Sequence, residues 1–186
     1  NSGHDSGDYI NSVLTKYLKI LFSASIVIIG CSKYVVIFFA DTAFLDSWKY
    51  IPILVTGVFF QALSSFYGVS YLIGKNTKGA FSSSVYGGGT AVVSSVFLIP
   101  NFGLYGAAAG ITLGYIVMFI VRLVHSRRFV KIEMPFARAG AYLAVIGTVA
   151  AATYLDSVPT DIFLIITTCA IALFEMKDII LKLIKR

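Results

Sequence analysis

The feature that most limits what this chain can become is a succession of long apolar runs separated by short polar turns. Crossing a bilayer takes about 20 apolar residues at a rise of roughly 1.5 Å each. Five segments meet or approach that length: 20–40, 50–74, 79–100, 102–121 and 139–155. A sixth, 159–176, becomes long enough when Asp161 and Glu175 sit at headgroup depth. A soluble domain with 58% hydrophobic and 13% charged residues would carry more apolar surface than one core can hide, and the mean hydropathy is +0.85. Lipid is therefore the expected solvent. Backbone polar groups in hydrocarbon must be satisfied within their own segment, so the runs are expected as helices. The two-residue alternation of a membrane barrel is absent.

Charge supplies an independent test, because short cytoplasmic loops collect Lys and Arg while translocated loops do not. Lys16 and Lys19 precede the first run, and Lys75 and Lys78 follow the second. Arg122, Arg127, Arg128, Lys131 and Arg138 follow the fourth; Lys177, Lys182, Lys185 and Arg186 follow the sixth. Thirteen of the fifteen basic residues thus fall on alternate sides of consecutive runs. The opposite loops carry Asp41, Asp46, Asp156 and Asp161 with Lys49 as their one cation, and the tight turn expected at Asn101 has no charge. Both ends are then expected in the cytoplasm. The basic residues, for a pI of about 9.3, are spaced as topology signals and not along one polar face, so no nucleic-acid partner is expected.

The fold expected is an all-α polytopic membrane helix bundle: a cytoplasmic segment 1–19, six transmembrane helices within 20–174, and an interfacial amphipathic tail 175–186. In that tail Met176, Ile179, Ile180, Leu183 and Ile184 recur at helical spacing between charged positions, a pattern suited to anionic lipid. The chain opens on Asn1 and a polar stretch with neither an initiator Met nor a signal peptide, so a piece of a longer protein is expected. Cys31 and Cys169 lie in apolar runs as small hydrophobes and indicate no redox compartment.

Several positions stand out. Lys33 is the charge deepest in a run, and it either faces a hydrated cavity and an anionic substrate or reaches outward to headgroups or to Asp41 and Asp46. Gln61, Ser64, Ser65, Tyr67 and Tyr71 make the most polar stretch of the second run; they either line a cavity or bond between helices. Small residues let membrane helices approach closely, and Gly106, Gly110 and Gly114 form one flat face. Gly87, Gly88 and Gly89 mark either a close contact or a deformable point. Arg122, Arg127, Arg128 and Lys131 read as topology or headgroup anchors.

Other chemistries find no support. GKNTKG lacks the earlier glycine of a phosphate loop, where Val69 stands, and Asn76 replaces its Ser or Thr. His4 and His125 have no companions at ligand spacing, so no metal and no cofactor is expected. Neither a Ser-His-Asp arrangement nor the carboxylate pair of an embedded transferase is present, and no enzymatic activity is expected.

The stretch LIPNFGLYGAAAG, from Leu98 to Gly110, resembles the signature turn of polysaccharide and O-antigen flippases of the multidrug/oligosaccharidyl-lipid/polysaccharide exporter superfamily. YIPILVTGVFFQALSSFYG resembles the preceding helix of that family, KNTKGA its basic inner turn, and SRRFVKI the inner segment after the Gly-Ala helix. Ala91 and Ser95 stand where many members have asparagines. The resemblance implies the last six helices of a fourteen-helix transporter in the inner membrane of a prokaryote. It implies partners as well: membrane lipids, a lipid-linked oligosaccharide or polysaccharide precursor, and the missing N-terminal lobe. Alternating access between two lobes would move the substrate. A drug or metabolite exporter of the same superfamily, or a membrane-embedded glycosyl or acyl transferase, is the alternative.

Overall fold

A computed structural model describes residues 2–127, 134–154 and 158–184. Side chains are described within these at 9–41, 44–127, 134–154 and 163–177. Every element among the described residues is helical: α1 (Ser2–Phe39), a 3-10 helix (Thr42–Lys49), α2 (Ile51–Ile73), α3 (Thr77–Phe102), α4 (Leu104–Ser126), α5 (Phe136–Thr153) and α6 (Val158–Ile184). Five are long and apolar enough to cross a membrane, with mean hydropathies between 1.3 and 2.1 over Tyr9–Phe39, α2, α3, α4 and α5. The protein is thus an all-α bundle of membrane character.

The helix ends depart from the expected limits for local reasons. α1 begins at Ser2, so the segment 1–19 continues into the first run without a break. α6 likewise joins the sixth run and the tail in one helix, while Lys185 and Arg186 lie outside the described residues. The turn expected at Asn101 falls at Gly103 instead. Pro100 sits inside the last turn of α3, and Asn101 bonds back from Nδ2 to the Phe97 carbonyl at 3.1 Å. Reversal waits for a residue that accepts φ of +56°, which glycine does without a Cβ penalty. The Gly103 N–H closes α3 onto the Ile99 carbonyl, and its own carbonyl accepts from Ala107 to open α4.

The α2–α3 turn is built the same way. Lys75 takes φ of +49°, and the Asn76 N–H reaches back to the Tyr71 carbonyl at 2.9 Å. Asn76 Oδ1 then accepts from the Gly79 N–H at 3.0 Å as the N-cap of α3. The asparagine that spoils a phosphate loop is therefore a helix start.

The chain divides into two compact units. The first comprises Asn1–Leu14 and Thr56–Met134. The second comprises Thr15–Val55 and Pro135–Arg186. In the first, α3 and α4 form an antiparallel hairpin whose contact is made of small residues. A Cβ on Gly114 would lie 2.6 Å from both Ala91 Cβ and the Gly87 carbonyl, and one on Gly110 would lie 2.9 Å from the Ser95 nitrogen. One on Gly106 would run into the Leu98 carbonyl. Along α3 the facing positions are Gly87, Ala91 and Ser95, so both helices present a small residue every fourth position. α2 runs parallel to α4, with Gly57 against Thr112 and Phe60 and Tyr67 against Phe119 at ring separations of 5.8 and 5.9 Å.

The second unit is held by α1 against α6. Gly30 meets Thr168, the Ser23 hydroxyl donates to the Ala172 carbonyl at 3.5 Å, and Lys19 pairs with Glu175 at 3.4 Å. Positions on α6 rise from Thr168 to Glu175 as those on α1 fall from Gly30 to Lys19, which defines an antiparallel pair. Phe22 stacks on Tyr142 of α5 at 4.1 Å, and the Tyr142 hydroxyl donates to Glu175 Oε2 at 3.1 Å.

Candidate functional site

The polar residues singled out on α2 lie in the first unit, from Gln61 at mid-helix to Tyr71 beside the turn into α3. Helical spacing stacks Ser64, Tyr67 and Tyr71 on one buried face of α2. The Tyr67 hydroxyl donates to Met134 Sδ at 3.3 Å, and the Tyr71 hydroxyl lies 3.4 Å from His125 Nδ1. The Tyr71 ring also covers Gly79, where a Cβ would come within 2.7 Å of it. Both rings are buried; Tyr71 reaches α4, whereas the Tyr67 hydroxyl reaches the segment just before α5. Gln61 is half-buried with its carbonyl accepting from the Ser65 hydroxyl at 3.0 Å, and Ser65 itself is exposed.

Arg122 organises this cluster, with its side chain directed inward among the helices and not outward from the end of α4. Its guanidinium turns between helices: Nε donates to Ser83 Oγ at 3.0 Å, Nη1 to the Ser64 carbonyl at 3.2 Å, and Nη2 to Ser84 Oγ at 3.1 Å. Gly68 makes room for it, since a Cβ there would stand 2.9 Å from Nη1. Ser83 and Ser84 both donate their own hydroxyl hydrogens to the Ala80 carbonyl, at 2.8 and 3.1 Å. Their lone pairs are left for the arginine. Charge counting along the sequence ranks Arg122 with Arg127, which is exposed. The one signal that separates them is position, because Arg122 falls a full turn before the end of α4. Arg128 and Lys131 lie outside the described residues.

Lys33 belongs to the second unit. Its ammonium sits over the Trp48 ring at 5.5 Å, beside Lys49 at 5.9 Å from the same ring and 2.8 Å from Asp46. Trp48 is itself held against Tyr154 at 5.9 Å, and the Tyr154 hydroxyl donates to the Lys49 carbonyl.

The glycines separate by environment. Gly87, Gly106, Gly110 and Gly114 lie in the α3–α4 contact, whereas a Cβ on Gly88 or Gly89 would meet nothing within 4 Å. Only 6% of the most apolar stretch of α3 is buried, because α3 rests on α4 through a single narrow face. Gly88 and Gly89 are on the others. No group of His, Cys, Asp or Glu among the described residues could hold a metal.

Fold and site together define a helical membrane protein with a positively charged polar cluster between three of its helices. No family model, curated protein or solved structure compared with the chain matches it.

Proposed function

We propose that the chain is the C-terminal lobe of a transporter that moves lipid-linked oligosaccharide or polysaccharide precursors across the cytoplasmic membrane of a prokaryote. The observation that carries the reading is the α3–α4 hairpin. The stretch Leu98–Gly110, which resembles the flippase signature, reverses the chain at Gly103 and starts a contact in which backbones nearly touch. A narrow hairpin of this kind can tilt as one body, which alternating access requires of its parts. The ends are cytoplasmic in this reading, and the basic turn Lys75–Lys78 faces the same side. No catalytic step is assigned to the chain. Membrane lipids, a lipid-linked glycan and an N-terminal lobe are its partners.

Proteoliposomes holding the complete transporter and a fluorescent polyprenyl-diphosphate-linked oligosaccharide test this. Glycan added inside should become accessible to an external lectin, and Gly114→Leu should slow that appearance at least tenfold by wedging α3 from α4. Formation of a new glycosidic product, with no change of leaflet, would sink the transporter reading in favour of a transferase.

A further inference from the structure

We infer that Arg122 and its serine cradle are a binding site for a phosphate group, of the kind borne by a lipid headgroup. The guanidinium is half-buried, and all three of its hydrogen-bond partners are neutral: two serine hydroxyls and a backbone carbonyl. No carboxylate pairs with it among the described residues. The 86 residues from Ser47 to Ile132 contain neither Asp nor Glu, and Glu133, the next carboxylate, lies outside the described residues. A charge taken partly out of water, with no counter-charge among the described residues, is an unfavourable arrangement that an anion relieves.

The site is shaped for an anion of one geometry. A guanidinium carries five N–H groups in a rigid plane, and three are committed to Ser83, Ser64 and Ser84. One N–H remains on each terminal nitrogen. Two such donors on one planar cation suit the oxygens of a phosphate, an arrangement that a lysine ammonium does not reproduce. Three helices hold the guanidinium in place: α3 through both serines, α2 through the Ser64 carbonyl and the gap at Gly68, and α4 through Arg122 itself. The Ser64 hydroxyl adds a buried donor with no partner among the described residues, on the residue whose carbonyl anchors Nη1. Ser84 is exposed and keeps the cradle reachable, and exposed Lys75, Lys78 and Arg127 surround that end of the unit with positive charge.

Native mass spectrometry of the purified chain, with phosphatidate or phosphatidylcholine added to the micelles, tests the site. Phosphatidate presents a bare phosphate and should be retained over phosphatidylcholine. Arg122→Gln should lose that retention at least tenfold and Arg122→Lys about threefold, while Arg138→Gln, on an exposed residue of the other unit, should retain it fully. If Arg122→Gln fails to fold, Arg122→Lys decides. Wild-type retention in whichever variant folds overturns the inference. Displacement by undecaprenyl diphosphate alone assigns the site to a lipid headgroup; displacement by inorganic diphosphate as well assigns it to phosphate irrespective of a tail. Failure of both to displace phosphatidate overturns it. Binding is read without transport, so this site and the flippase reading stand or fall separately.

Discussion

Gly114 and Gly88 lie on facing helices of one hairpin and respond to the same substitution in opposite ways. A methyl at Gly114 has to displace Ala91 and the Gly87 carbonyl, so Gly114→Ala should destabilise by about 1–3 kcal/mol through overpacking. At Gly88 the methyl meets nothing, and Gly88→Ala should stabilise the helix by about 0.5–1 kcal/mol. Thermal unfolding in detergent checks both; a loss of stability in Gly88→Ala would mean that this face is covered. Lys33 gives a second residue-level test. Its ammonium over Trp48 predicts a coupling of about 0.5–1 kcal/mol in a double-mutant cycle of Lys33→Met and Trp48→Leu, and no coupling would remove the contact.

Between helices, polar groups do what apolar burial cannot, since lipid is as apolar as leucine and offers no reason to associate. The α1–α6 pair illustrates this with Lys19 and Glu175, whose side chains keep 23% and 24% exposure. Glu175 also accepts from Tyr142 on α5, so one carboxylate ties three helices. Glu175→Gln leaves Lys19 half-desolvated and should cost about 1–3 kcal/mol, less than a fully buried pair would because solvent still screens it. The double change of Lys19→Met and Glu175→Met should cost less than Glu175→Gln alone, as no charge is stranded. Unfolding midpoints of the two variants decide the order. In the α3–α4 hairpin the register comes from shape instead, with small residues at every fourth position of both helices meeting in opposite order.

For the whole molecule, five helices of sufficient length and apolarity predict a protein that stays with membranes after an alkaline wash and leaves them only with detergent. Sidedness is a separate matter, tested by cysteine labelling in a background lacking Cys31 and Cys169. Leu45→Cys should react with an impermeant maleimide from outside, and Lys75→Cys only after permeabilisation; the opposite result reverses the orientation. Ser126, although it closes the same run as the basic cluster, is 1% exposed and would stay unlabelled from either side.

Hydropathy sufficed to predict an all-helical chain with helices long and apolar enough to cross a membrane, five of them among the described residues where six were expected, because helix formation in such a run depends on how much apolar surface a local stretch exposes. The small-residue faces were also legible, since a four-residue repeat is a property of one helix. Which glycine of the Gly87–Gly89 run meets α4 was not, and neither was the turn at Gly103, because each depends on where a partner backbone passes. Arg122 is the clearest case. Along the chain it is one more positive charge after an apolar run, and its inward course follows from Ser83, Ser84, Ser64 and Gly68 converging from two other helices. Local composition sets the solvent of each segment; the destination of a long side chain depends on neighbours that only packing assembles.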